Sequence, residues 1–175
     1  MLSMLETVVA VAQRADLGPV ALATSEPIAP DLARSLGIAA LSDGNLAWND
    51  GLVHALGLIS PPPSRVLYLA GDIPLLTTEE LGAFVAGAPT PGVAIARARD
   101  AGTNALLVTP AGAMRPLFGT PRSSAVHAAA AQGAGLSARV LDFAGLALDV
   151  DTIDDARDAG VLYAVSGTGR DPDGG

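Results

Sequence analysis

Cysteine is missing from all 175 residues, and with it go disulfide frameworks, thiolate metal sites and cysteine nucleophiles. Any metal chemistry must use oxygen or imidazole ligands. Lysine is missing too. The ten cations are all arginine, set against 18 acidic residues, and a net charge of −8 repels polyanions at long range, which argues against a nucleic-acid partner. Long apolar runs are also lacking: half the residues are hydrophobic, yet Gly, Pro, Asp or Arg interrupts every run short of the roughly 20 residues that span a bilayer, so no membrane partner is expected. The opening Met-Leu-Ser-Met-Leu-Glu has no basic segment ahead of an apolar run, hence no secretory pattern, and the cytoplasm is the expected compartment. What is present is a chain of ordinary single-domain size with enough apolar residues to bury a core.

Apolar residues at helical spacing predict a helix from Leu2 to Ala15, stopped by Gly18-Pro19. A short strand over Val20–Ala23, a helix over Asp31–Leu36 closed by Gly37, and a strand over Ile38–Leu41 follow. A helix from Leu52 to Ile59 and a stiff Ser60-Pro61-Pro62-Pro63-Ser64 connector lead to an apolar strand, Val66–Ala70. Thr77 with Glu80 three residues on has the pattern of a capping box. Strands are expected over Val93–Ala98, Ala105–Val108, Arg139–Phe143 and Leu146–Val150, with helices over Ser123–Ala131 and Asp154–Gly160. The last residues, Ser166 to Gly175, have little to bury and read as a disordered tail after one domain over residues 1–165. Strands alternating with helices imply an α/β fold, a mainly parallel sheet with helices on both faces. Ligands then bind beyond the carboxyl ends of its strands.

Acidic residues mark two of those ends. Asp72 follows a buried strand and a glycine and precedes Ile73-Pro74; Asp is equally at home as a ligand or in a turn or cap. Asp149 and Asp151, two apart in a strand context, would share a face, and their repulsion is relieved by a cation or a proton. Three carboxylates without cysteine suit magnesium, which takes oxygen ligands and substrate phosphates. Either Asp149 or Asp151 would also serve as a helix cap. The Asp100–Asn104 segment offers a flexible backbone, a hydroxyl and an amide, as a hairpin turn also does. Phe118-Gly119-Thr120-Pro121-Arg122-Ser123-Ser124 runs into a helix whose amino end suits a phosphate, and Ser123 fits a plain N-cap as well. Arg115 and Arg122 flank that loop and can neutralise an anion. His54 and His127 have no partner at triad or metal spacing and read as structural. Trp48 either packs on the sheet or stacks on a base.

Taken together, Gly71-Asp72-Ile73-Pro74-Leu75-Leu76-Thr77, Gly102-Thr103-Asn104-Ala105-Leu106, Phe118-Gly119 with Ser123 and His127, and Gly145-Leu146-Ala147-Leu148-Asp149-Val150-Asp151-Thr152 resemble the 2-phospho-L-lactate guanylyltransferase family, over roughly Met1 to Gly160. The resemblance implies a Rossmann-like nucleotidyltransferase fold. It implies transfer of GMP from GTP to a three-carbon phospho-acid (2-phospho-L-lactate, phosphoenolpyruvate or 3-phosphoglycerate) with release of pyrophosphate, in coenzyme F-420 biosynthesis. By the same motifs Asp72, Asp149 and Asp151 would hold Mg2+, and Thr103, Gly119 and Ser123 would contact the phospho-acid. Asn49 would contact the nucleotide, Trp48-Asn49-Asp50-Gly51-Leu52 being similar to the family's Leu-Asn-x-Ala-Leu segment. By the same resemblance, the family's opening strand and the basic loop that grips the triphosphate are expected to be absent from the sequence as given. Two other readings stand beside this one: another nucleotidyltransferase of the same fold, or a binding module without activity. A homo-oligomer is compatible with all of them.

Overall fold

The computed structural model describes residues 2–150 and 152–159. The expected tail at 166–175 and Asp151 lie outside the described residues. Helix α1 (Leu2–Arg14) opens the chain, and its Val8 and Val11 are buried one turn apart. Strand β1 (Ala21–Ala23) pairs in parallel with β2 (Ala39–Leu41), with Ala21 opposite Ala39, and helix α2 (Ala29–Leu36) connects them. Helix α2 starts earlier than its periodicity predicts because Pro30 is pre-set for a first helical turn. Helix α3 (Trp48–Gly57) then leads to a four-stranded sheet.

That sheet has the order β3–β5–β4–β6, built from β3 (Val66–Leu69), β4 (Gly92–Arg97), β5 (Thr103–Thr109) and β6 (Ser137–Leu141). β3, β4 and β6 share a direction, and β5 runs against both of its neighbours. Helix α4 (Thr78–Ala86) precedes β4 and α5 (Ser123–Gly133) precedes β6. Short helices α6 (Ala144–Ala147) and α7 (Ile153–Asp158) close the described chain.

Alternation along β4 and β5 builds two cores. Ala94, Ala96, Ala105 and Leu107 face α1 and α4, packing with Val8, Val11, Leu81, Phe84 and Leu146. Val93, Ile95, Leu106 and Val108 face the other way, toward Tyr68, Met114, Phe118 and Ala131 of α5. Period-two alternation thus covers the sheet on both faces, as the α/β reading requires. At about 25 cal/mol per Å2 of buried apolar surface these two clusters supply the main stabilising term.

The alternation breaks once. The β4–β5 register runs Ala96 opposite Ala105 and then Arg97 opposite Thr103, so β5 bulges at Asn104. Asn104 therefore turns to the side of Leu146 and bonds its carbonyl, while Thr103 turns to the side of α5. The strand expected over Leu146–Val150 does not form. Residues 144–147 make a turn of helix instead, because Gly145 packs so closely under α4 that its N–H binds the Glu80 carboxylate rather than a strand neighbour, with both oxygens 3.1 Å away.

Candidate active site

The carboxyl ends of β3 and β4 and the amino end of β5 meet at one edge of the four-stranded sheet. Beyond β3 the chain passes through Gly71 to Asp72, whose backbone carbonyl accepts the Val150 N–H at 3.0 Å. Asp72 and Asp149 are thereby carried on segments tied to each other by a backbone bond. The 145–150 segment is pinned at three further points: Glu80 holds the Gly145 N–H, Asn104 Nδ2 donates to Leu146 O at 3.0 Å, and the Arg99 N–H donates to Ala147 O at 3.0 Å. The capping box is half formed. Thr77 Oγ1 accepts the Glu80 N–H at 3.1 Å, but the Glu80 carboxylate reaches Gly145 instead of returning to its own cap.

Asp149 and Asp151 were placed on one face of a strand; the residues from Leu148 to Val150 are not in a strand, so that geometric argument falls. Among the described residues no group of three His, Asp or Glu side chains is arranged to hold a metal. Carboxylates are the ligand type that a hard cation takes, keeping several waters and drawing its remaining oxygens from phosphate.

A second group of polar residues sits at the start of β5 and α5, and it is buried. Ser123 Oγ donates to Thr103 Oγ1 at 3.0 Å, and His127 Nδ1 lies 3.0 Å from the same oxygen. On the far side of the ring, His127 Nε2 accepts the Leu117 N–H at 2.8 Å. Thr103, Ser123 and His127 are all buried, His127 completely. Burial pushes the His127 pKa down to about 4, so the imidazole is neutral at physiological pH. Ser123 is not the N-cap that its position allowed. That place belongs to Arg122, in the left-handed region at φ 56°, which leaves the Ser123 hydroxyl to turn inward. Helix α5 is entered through a further tie, Ser124 Oγ donating to Ala101 O at 2.8 Å.

The loop before α5 is held from α3. Asn49 Oδ1 accepts the Phe118 N–H at 2.9 Å and Asn49 Nδ2 donates to Phe118 O at 3.0 Å, a two-point clamp on one peptide residue. Trp48, 63 % exposed, stacks on Phe118 with ring centroids 5.5 Å apart, so it covers the loop and does not pack into the sheet. Gly119 follows at φ 73°, and a Cβ there would lie 3.3 Å from the indole, so both backbone and space call for glycine. Arg115 is engaged with Asp50 at 2.8 Å, which ties the same loop to α3 and makes Arg115 a strut. Of the three residues that the resemblance assigns to the phospho-acid, Thr103 and Ser123 are joined by a hydrogen bond, while Gly119 lies on the loop beneath Trp48. The structural reading of His127 agrees with a buried ring bonded to partners 24 and 10 residues away, whereas the tie from Glu80 to Gly145 has no local signal.

At the ends of β1 and β2 lies a third polar place. The Asp43 carboxylate accepts from Ser25 Oγ and from the Asn45 N–H, and these bonds, the Ser25 hydroxyl first, hold its pKa below the usual carboxylate value. Gly51 lets α3 come down onto this turn, since a Cβ there would sit 2.9 Å from Asp43 Cβ.

A family model described as "Guanylyl transferase CofC like" matches residues 1–167. The chain belongs to the CofC-like guanylyltransferase family. Phosphoenolpyruvate guanylyltransferase of Roseiflexus sp. (strain RS-1) is 41% identical over 124 residues, covering 70% of this chain and 55% of that protein. The corresponding protein of Sphaerobacter thermophilus is 36% identical over 137 residues, or 76% of this chain and 65% of that one. 2-Phospho-L-lactate guanylyltransferase of Methanothermobacter thermautotrophicus is 35% identical over 126 residues, 71% and 56% of the two chains. The chain thus spans between half and two thirds of the length of these relatives. Solved structures agree on the fold: 4-diphosphocytidyl-2C-methyl-D-erythritol synthase of Anaerococcus prevotii superposes with a TM-score of 0.68 at 11% identity, covering 90% of this chain and 87% of that one. Rv0371c of Mycobacterium tuberculosis H37Rv, in complex with manganese, gives 0.61 at 21% identity over 89% and 85%. Among the described residues of this CofC-like chain, no helix is long and apolar enough to cross a membrane.

Proposed function

We propose that this chain is a guanylyltransferase that moves GMP from GTP to a three-carbon phospho-acid, phosphoenolpyruvate, 2-phospho-L-lactate or 3-phosphoglycerate, in coenzyme F-420 biosynthesis. The observation that carries the reading is the pairing of two different polar groups at one sheet edge. Buried hydroxyls of Thr103 and Ser123 stand at the start of β5 and α5, and the carboxylate-bearing segments of Asp72 and Asp149 are tied by a backbone bond close to the end of β3. A hydroxyl pair suits an oxyanion, and paired carboxylates suit the cation that accompanies a triphosphate. The relatives' names, two of them for phosphoenolpyruvate and one for 2-phospho-L-lactate, support the acceptor class.

In this scheme an oxygen of the acceptor's phosphate attacks the α-phosphorus of GTP. The new P–O bond forms as the bond to the bridging oxygen breaks, and pyrophosphate leaves with that electron pair. Thr103 orients the acceptor through its hydroxyl, Ser123 supports that contact by donating its own hydroxyl proton to Thr103 Oγ1, and Gly119 is our candidate for a further contact from the loop before α5. Asn49 fixes the peptide before Gly119, and its position at the start of α3 is our candidate for the nucleotide side. Asp72, Asp149 and Asp151 would hold Mg2+, which when bound neutralises developing charge on the phosphates. No protein nucleophile is required, so positioning and charge supply the rate.

The test is pyrophosphate release by the purified chain with GTP, magnesium and each phospho-acid, run beside Asp149→Ala. Release with one acceptor, reduced by roughly a hundredfold or more in the variant, is expected. Equal release from the variant, or no release from folded protein with any acceptor, would sink the reading. A preference for CTP would move the chain to another nucleotidyltransferase activity of the same fold.

A further inference from the structure

His127 is the buried titratable group that the scheme above does not use. Its surroundings settle its protonation. The Leu117 backbone N–H can only donate, so Nε2 must carry a lone pair, and in a neutral ring the proton then resides on Nδ1. That proton faces Thr103 Oγ1, 3.0 Å away, with the Ser123 backbone carbonyl one helical turn back also bonding the ring. Ser123 Oγ donates to the same oxygen. Thr103 Oγ1 therefore accepts twice, and both of its lone pairs are occupied. Its own proton is left over, and among the described residues no acceptor is paired with it.

We propose that His127 is a positioning residue: by donating to Thr103 Oγ1 it turns the Thr103 hydroxyl into an outward-facing donor for an oxyanion of the phospho-acid acceptor. The inference rests on the acceptor reading of Thr103 and Ser123 given above. Its physical content is direction. A hydroxyl normally rotates to suit either a donor or an acceptor, whereas one that already accepts two bonds can only donate a third. The site then selects an anion at this point and disfavours a ligand group that needs an acceptor. The same ring also joins β5 to the 115–119 loop, since its two nitrogens reach Thr103 and Leu117. A loop-holding role is thus the competing explanation, and the two nitrogens allow it to be separated.

His127→Asn puts an amide near the place of Nδ1 and gives up the bond from Leu117. His127→Gln puts one near the place of Nε2 and gives up the bond to Thr103. The experiment titrates wild type and both variants with phosphoenolpyruvate and records long-range 1H–15N imidazole spectra of the wild type. The expected spectrum has Nδ1 protonated and Nε2 bare, with the Nδ1–H proton shifting as phosphoenolpyruvate binds. Binding is expected to weaken about tenfold in His127→Gln and no more than about threefold in His127→Asn. The reverse order, or a protonated Nε2, overturns the proposal. Where both variants fail to fold, the wild-type spectra decide: a Nδ1–H that ignores bound phosphoenolpyruvate overturns it, and one that shifts supports it. Wild type that binds no phosphoenolpyruvate overturns the acceptor reading itself, which is a different result from binding that is indifferent to His127.

Discussion

Asn49 grips both backbone polar groups of Phe118, accepting its N–H at 2.9 Å and donating to its carbonyl at 3.0 Å. The two residues are 69 positions apart, so this clamp joins the start of α3 to the loop before α5. Asn49→Ala leaves a part-buried N–H and C=O without partners, at a cost of about 1–3 kcal/mol. Asn49→Asp keeps the acceptor for the N–H but sets a carboxylate against the carbonyl. The Phe118 amide should therefore exchange with solvent much faster in Asn49→Ala and stay protected in Asn49→Asp, which hydrogen exchange reads directly. Unchanged protection in Asn49→Ala would show that Trp48 stacking alone holds the loop.

Gly145 has no room for a side chain. A Cβ there would come within 2.1 Å of Glu80 Oε2 and 2.3 Å of the Leu75 carbonyl oxygen. The carboxylate can swing aside; the carbonyl, being backbone, cannot. Gly145→Ala is expected to lose about 3 kcal/mol from this overpacking, and Glu80→Ala about 1–2 kcal/mol from the bared Gly145 N–H. The double variant should be no more stable than Gly145→Ala, because the Leu75 clash persists. Urea denaturation of the three proteins checks this; rescue by removing the Glu80 side chain would place the whole conflict on that carboxylate. Displacing residues 145–150 also displaces Asp149, so pyrophosphate release should fall with stability.

The parts that a one-dimensional pattern encodes were legible in the sequence. Short apolar runs marked β3, β4 and β5, and helical spacing marked α1. The misses share a cause: long-range geometry overruled a local pattern. Leu146–Val150 has the composition of a strand, but Gly145 is drawn under α4, so residues 144–147 make a helical turn and the next three stay irregular. The bulge at Asn104 has no local mark and swaps the sides of Thr103 and Asn104. The partners of His127 and the clamp of Asn49 on Phe118, 69 residues away, come from other elements and leave no mark in the local sequence. Polar residues whose partners lie far along the chain show their chemistry only once the fold brings those partners near.

The depressed pKa of His127 has a consequence for acid stability. Its folded value is about 4, below the ordinary histidine value of 6.5, so the unfolded chain binds more protons between those two limits. Stability contributed by neutral His127 is whole above pH 6.5, falls as the pH drops toward 4, and levels off below that. The full loss amounts to about 3 kcal/mol at most. Protonation is resisted because a charged ring would be desolvated and would place a second N–H against the Leu117 N–H, which already donates to Nε2. Urea midpoints for wild type and His127→Gln between pH 8 and pH 4 isolate this term, since the remaining ionisable groups are common to both. The wild type should lose stability with acid more steeply than the variant between pH 6.5 and 4, and run parallel to it above pH 7. Parallel curves over the whole range would mean that the ring takes up its proton in the folded state as readily as in the unfolded one, which the Leu117 donor does not permit.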